Sequence, residues 1–375
     1  MSAAPPPLLT KSSELTALAK RARAGGRLAL DTEFVWERTY RPILGVVQIA
    51  TDDDCAVVDA QAVESLEPLF PLLADPKLPV VLHGGGQDLE ILAEIMGEPV
   101  RDVVDTQIEA AFLGYGLQVG LGALLERVLK VRIRKDQTYT DWTRRPLRPE
   151  QLDYARTDVI HLLSLHDRLR EALERRGRVA WVDEELHALE APGRYTPAPD
   201  TDRYRSVKGW QRHNAQELAV LRSLAAWREK AARRANVRPN YIANDVVLTT
   251  LAARPVDDLE DLHQIRGLSR GTVDRHARGI LTALLRAAVQ AVAEREDLAP
   301  EVIASGRELD ALVGAATRRD GKEDELADLA LLGGWRRDLV GERLLRIARG
   351  EIAVRYDPAR REIVEDAVSA NGGPD

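Results

Sequence analysis

The chain has 375 residues, 45% hydrophobic and 30% charged, which is too long for one ordinary core and too apolar for a disordered or low-complexity chain. Its net charge of −7 argues against nonspecific coating of nucleic acid, and its single cysteine excludes a disulfide scaffold and a four-thiolate zinc site. No apolar run approaches the ~18 residues of a membrane span, and a reducing, cytoplasmic setting is expected.

The first residues, MSAAPPPLLTKSSE, lack the basic and apolar regions of a signal peptide and read as a short disordered lead. Within 27–59, RLALDTEF, LGVVQIAT and CAVVDA predict an antiparallel meander of three strands. Strand and helix then alternate. ESLEPLFPLLAD is helical, LPVVLHG a strand, QDLEILAEIMG helical and VRDVVDT a strand. Helices follow in DTQIEAAFLG and LGALLERVL, and one long helix is expected from about Pro149 to Arg176. This order predicts an α/β domain with a mixed sheet over residues 1–200.

APGRYTPAPDTDRYRS, at 191–206, carries three prolines and reads as a linker. Beyond it the pattern is helical, in one unit over 207–290 with a break at Pro239–Asn240 and a second over 298–370. EIAVRYD is the single strand candidate there. Charge follows the same division: residues 1–200 carry a net −8, 201–375 a net +1, and the stretch 201–250 a net +6. An acidic half joined to a locally basic module suits a metal site served by a nucleic-acid-holding appendage. A solvated helix face explains the charge equally simply.

Three pieces carry chemistry. Asp31 and Glu33 end the first strand, and residues i and i+2 of a strand share a face. Two adjacent acids repel unless a cation sits between them, and hard oxygen ligands suit Mg²⁺ or Mn²⁺. Asp88 follows VVLHGGGQ, where a strand runs through three glycines into a helix. Tyr154 and Asp158 stand four apart in a helical stretch and so share a helix face. Each piece alone has a plain reading: a solvated strand end, a first-turn helix acid, a buried Tyr beside an exposed Asp.

Together and in this order, the three pieces resemble the motifs of DEDD-superfamily 3′→5′ exonucleases, in the tyrosine branch. VVLHGGGQDLEIL, DTQIEAAFLG and TDWTRRPLRPEQLDYARTDVIHL are similar to bacterial ribonuclease D, and the resemblance spans nearly the whole chain. LAAWREKAARRANVRPNYIANDVVLTTLAARP and LHQIRGLSRGTVDRHARGIL resemble its HRDC module, over 207–290. VIASGRELDALV and LLGGWRRDLVGERLLRIARG resemble the divergent second module, within 298–370. The GGGQ stretch is richer in glycine than the family's usual turn, which implies extra flexibility near Asp88.

The resemblance implies an RNase H-like exonuclease domain followed by two all-α modules. It makes Asp31, Glu33, Asp88 and Asp158 the ligands of two divalent ions, Mg²⁺ or Mn²⁺, with Tyr154 orienting the attacking water. It implies RNA as substrate, in 3′ processing of tRNA precursors and other small structured RNAs with release of 5′-mononucleotides. A DNA exonuclease and a non-enzymatic nucleic-acid binder remain the alternatives.

Other residues are expected in lesser roles. Thr32 and Phe34 face away from the acids along the strand. Gln48 is either a buried, hydrogen-bonded amide or an RNA contact. Asp105 is an N-cap, His83 a prop of the glycine turn, and Cys55 a buried strand residue. Residues 131–148 carry a net +4 interleaved with Tyr139 and Trp142, which suits a single-strand track. Arg134, Lys135, Trp142 and Arg145 are the candidate contacts there, with core packing an equal reading for Trp142, and Lys208, Arg233 and Arg234 in the helical region.

Overall fold

The computed structural model describes residues 6–133, 140–191, 193–253, 262, 265–268, 270–317, 326, 328–349, 351–357 and 362–367. The chain forms two compact units, Met1–Pro197 and Ala198–Asp375.

In the first unit, the predicted meander is present as β2 (Leu28–Val35), β3 (Ile43–Ala50) and β4 (Cys55–Asp59), each antiparallel to the next. The expected disordered lead is instead structured from Leu8. β1 (Leu8–Leu9) pairs in parallel with β4, and α1 (Ser12–Gly25) follows. The two leucines bring apolar surface to a sheet edge, and Leu15, Leu18 and Ala22 bury one face of α1. After α2 (Phe70–Leu73), β5 (Val80–Leu82) lies parallel to β2 and β6 (Val103–Asp105) parallel to β5. The sheet order is β1-β4-β3-β2-β5-β6.

The helices are α3 (Gly86–Met96), α4 (Thr106–Phe112), α5 (Leu121–Val128), α6 (Pro149–Val159), α7 (Leu162–Arg175) and α8 (Val179–His187). The single helix expected from Pro149 to Arg176 is therefore two. The backbone leaves α-geometry at His161, with φ −105° and ψ −4°, and α7 departs toward β5 while α6 stays on β2, β3 and β4.

Strand alternation gives the sheet two different faces. Leu28, Leu30, Val47, Ile49 and Val58 enter the main core with α1. The opposite face carries Asp31, Glu33, Val46, Gln48, Val57 and Asp59, and α6 covers it. A small cluster of Val46, Val57, Trp142, Leu147 and Ala155 fills the space beneath that helix.

In the second unit, α9 (Ala215–Ala235), α10 (Asp245–Ala253) and α11 (Arg270–Arg295) surround one core, and α11 also contributes to a second core with α12 (Gly306–Ala316) and α13 (Glu342–Ala348). Part of the expected linker is ordered, since Asp200–Ser206 forms a 3₁₀ segment packed on α9. The helical pattern expected through 370 ends near Arg349. The strand candidate EIAVRYD forms β7 (Ile352–Asp357), which pairs with β8 (Glu362–Ala367) as an antiparallel hairpin. The alternation of Ile352, Val354 and Tyr356 in the sequence has the period of strand, not helix.

Candidate active site

Asp31 and Glu33 project together from β2. Asp158 reaches them from α6, whose own position is fixed by packing on β2, β3 and β4. One oxygen from each of these three carboxylates lies within 4.8 Å of the others. Asp88 approaches from the first turn of α3 and is 8% exposed.

Thr32 holds that fourth acid. Pairing between β2 and β5 covers only Leu28 and Ala29, so β2 runs past its neighbour. The Thr32 amide then donates to Asp88 Oδ1 at 3.1 Å, and its hydroxyl donates to the same oxygen. Thr32 does face away from Asp31 and Glu33, as strand alternation requires, yet it serves the site through Asp88. Only the backbone register reveals this.

The glycine turn before Asp88 is pinned, contrary to the flexibility its composition implies. Gly84 has φ +65°, and a Cβ on Gly85 would sit 2.8 Å from the Leu82 side chain. Asp105 Oδ1 accepts from the Gly84 amide at 2.8 Å and Oδ2 from the Gly85 amide at 3.1 Å. The same carboxylate caps α4 by accepting from the Gln107 amide at 2.8 Å. His83 braces the turn from behind, 2.9 Å from both Thr106 Oγ1 and the Val119 carbonyl. Burial lowers its pKa, which keeps the imidazole neutral.

Electrostatically the four acids are in conflict. Burial pushes the Asp31 carboxyl well above the usual carboxylate range, and Asp88, Asp158 and Glu33 push it further. Glu33 rises to about 8, through burial first and then Asp158 and Asp88. Asp158 rises to about 7 by burial, against a hydrogen bond from Tyr154 that favours its charged form. Burial also raises Asp88, opposed by its bonds from Thr32. Among the described residues no Lys or Arg ion-pairs with any of the four. Such a group takes up protons or cations. An all-carboxylate donor set of this kind fits hard divalent ions. Cys55 stays outside it as a half-buried strand residue whose thiol is pushed up to about 11 by burial.

The expected nucleic-acid contacts fare differently. Trp142 is 1% exposed and packs with Val46, Val57 and Ala155, its ring centroid 6.1 Å from that of Tyr154. A ring so enclosed has no face left for a base. Its backbone is pressed onto β3 where Gly45 leaves room, since a Cβ there would meet the Trp142 carbonyl at 2.6 Å. Arg145 is likewise committed inward. Its fork grips both oxygens of the buried Asp59, and it donates to the Gly45 and Trp142 carbonyls at 3.0 and 2.8 Å. Both residues stitch the segment after 140 to the sheet. Arg134, Lys135 and Tyr139 lie outside the described residues. Lys208 and Arg234 are exposed, whereas Arg233 pairs with Asp200 at 2.7 Å. Gln48 is fully buried and, among the described residues, neither amide atom has a hydrogen-bond partner, which matches neither expected role.

Comparison with known proteins agrees with this geometry. Residues 7–174 match the 3′-5′ exonuclease family model, 217–284 the HRDC domain, and 280–344 the C-terminal HRDC domain of ribonuclease D. Ribonuclease D of Granulibacter bethesdensis is 35% identical, with 96% of each chain covered. Ribonuclease D of Gluconacetobacter diazotrophicus is 36% identical over 95% of this chain and 96% of its own. The solved structure of Escherichia coli RNase D, described as an exoribonuclease involved in structured RNA processing, superposes with a TM-score of 0.70. It is 26% identical and covers 91% of this chain and 98% of its own. The catalytic core of Trypanosoma brucei RRP6 shares the fold at 22% identity, TM-score 0.62, over 78% and 82% of the two chains. The exonuclease fold and the two helical modules that follow it thus agree with relatives along the full chain, which belongs to the ribonuclease D family of 3′→5′ exoribonucleases.

Proposed function

We propose that this exoribonuclease is metal-dependent, with two divalent ions, Mg²⁺ or Mn²⁺, held by Asp31, Glu33, Asp88 and Asp158. Its products are 5′-mononucleotides, and its substrates are the 3′ ends of tRNA precursors and other small structured RNAs, met in a reducing cytoplasm. The observation that carries this reading is the convergence of three carboxylate oxygens within 4.8 Å, with no cationic side chain paired to them among the described residues.

Divalent ions bound there supply neutralisation of the phosphate, activation of water and stabilisation of the leaving oxygen. The chain's own residues supply position. Asp31 and Glu33 are fixed by the β2–β3 pairing, and Asp158 by the packing of α6. Thr32 engages one oxygen of Asp88 and leaves the other for a ligand. Tyr154 donates to Asp158, and its hydroxyl orients the attacking water. Bound in this way to Asp158, it is read as a positioning group and not as the bulk base.

The test is incubation of the purified protein with a 3′-labelled, 3′-extended tRNA and a DNA strand of the same sequence, with Mg²⁺, with Mn²⁺ and with chelator. Stepwise release of labelled mononucleotide from RNA, stopped by chelator, is expected. Chelator-resistant cleavage or internal cuts would overturn the reading. DNA degraded as fast as RNA would favour a DNA exonuclease.

A further inference from the structure

Gln48 lies at the centre of β3, directly opposite Asp31 of β2. Residues directly opposed in an antiparallel pair put their side chains on the same face, with Cβ atoms about 5 Å apart. Its other nearest neighbours, along β3 and directly across on β4, are apolar. Val46 and Ala50 flank it along β3, and Val57 opposes it on β4. Asp31 is therefore the polar side chain in its row.

Gln48 has 0% exposure, and among the described residues neither its Nε2 nor its Oε1 has a hydrogen-bond partner. An unmet buried amide is destabilising, and a leucine of similar size would fill the same space without that cost. Two further buried donors in the layer under α6 also lack partners. They are Trp142 Nε1 and Gln151 Nε2, the latter one turn before Ala155. The unpartnered groups here are thus three donors and one acceptor. The Gln48 Oε1 can satisfy one donor, and the acceptor directly across the strand pair from Gln48 is the Asp31 carboxylate.

We infer that Gln48 is a positioning residue for the metal site, its Nε2–H donating to the Asp31 carboxylate when Asp31 is ionised and bound to a divalent ion. A charged acceptor roughly doubles the strength of such a bond, so the donor contributes most when the ion is present. It fixes which Asp31 oxygen turns toward the ion, as outer partners of metal ligands do. The inference rests on the reading of Asp31 as an ion ligand.

The experiment titrates Mn²⁺ by calorimetry into the full, chelator-treated chain, as wild type and as Gln48→Leu and Asp31→Asn, with melting temperatures of the ion-free proteins measured alongside. Gln48→Leu should weaken Mn²⁺ binding about 10–100-fold while the ion-free melting temperature holds or rises. A residue of purely structural value would do the reverse. Unchanged Mn²⁺ affinity in Gln48→Leu, with affinity lost in Asp31→Asn, overturns the role of Gln48 alone. Unchanged affinity in Asp31→Asn overturns the metal assignment of Asp31 and the inference with it. If Gln48→Leu does not fold, Gln48→Met is read in the same way. A lowered ion-free melting temperature in that variant, with Mn²⁺ affinity intact, also overturns the inference.

Discussion

Two groups of acid share one face of the same sheet, one buried and one half-buried, and have opposite surroundings. Asp59, on β4, is 3% exposed and has both oxygens gripped by Arg145. Asp31 and Glu33, on β2, have acids for neighbours instead. The contrast separates structure from function. A buried charge balanced from within the chain holds the fold together, whereas a half-buried cluster left unbalanced fits the proposed role of taking a cation from outside. The basic residues divide in the same way, Arg145 being consumed by Asp59 while Lys208 and Arg234 remain exposed.

The strongest test of that contrast removes charge on each side. Asp31→Asn and Asp158→Asn should each nearly abolish RNA hydrolysis, beyond the ~10–100-fold loss typical of an outer partner of a metal ligand. Their circular dichroism should stay native, because the change relieves repulsion at constant volume. Tyr154→Phe should retain ion binding and lose ~10²-fold or more in single-turnover rate. Near-native turnover in either Asn variant would show that the cluster is not catalytic.

Arg145→Ala should act on stability. Breaking a buried pair from one side costs about 3–5 kcal/mol when both partners are buried. Arg145 is 27% exposed, so the lower end is expected, read as a shift in the urea midpoint. RNA affinity measured where the protein is fully folded should barely change. A large loss of affinity with the midpoint unmoved would restore Arg145 as a phosphate contact.

The unbalanced cluster also predicts a pH dependence. Glu33 at about 8 and Asp158 at about 7 stand above the ~4 of an unfolded carboxylate. Between those limits the folded, ion-free chain binds more protons than the unfolded one, so its stability falls as pH rises. Chelated protein should therefore melt lower at pH 8.5 than at pH 5.5, and Mn²⁺ should restore more at the higher pH, where protons no longer compete for the oxygens. Equal Mn²⁺ effects at both pH values would contradict the raised carboxyls.

What the sequence shows of this site follows from the same physics. Asp31, Glu33, Tyr154 and Asp158 are legible because strand and helix periods place i,i+2 and i,i+4 residues together with no tertiary knowledge. The meander is legible for the same reason. Thr32 and Gln48 are not, since their value depends on where β2 outruns β5 and which residue lies across a strand. Trp142 and Arg145 look like a nucleic-acid track because composition does not reveal that Asp59, 86 residues earlier, claims the guanidinium. The break at His161 escapes for another reason, since it falls in a stretch whose local pattern also suits continuous helix. The strand EIAVRYD is legible by its alternation, while its pairing with β8 is not.

The smallest expected effect concerns the exposed cations of the second unit. Arg and Lys that contact phosphates release counterions, and each contact adds roughly 0.7–0.9 to the slope of log affinity against log salt. The side chains of Lys208 and Arg234 have no ion pair among the described residues, while Arg233 is paired with Asp200. In a catalytically inactive Asp158→Asn background, Lys208→Ala with Arg234→Ala should therefore lower the slope for tRNA binding by about 1.5. Arg233→Ala should change it less than either, because Asp200 already supplies its counter-charge. Three equal, null effects would leave the basic stretch at 201–250 as a solvated face. An Arg233→Ala effect as large as the others would show that pairing within the chain does not remove a cation from RNA binding, and would break the contrast between balanced and unbalanced charge at its weakest point.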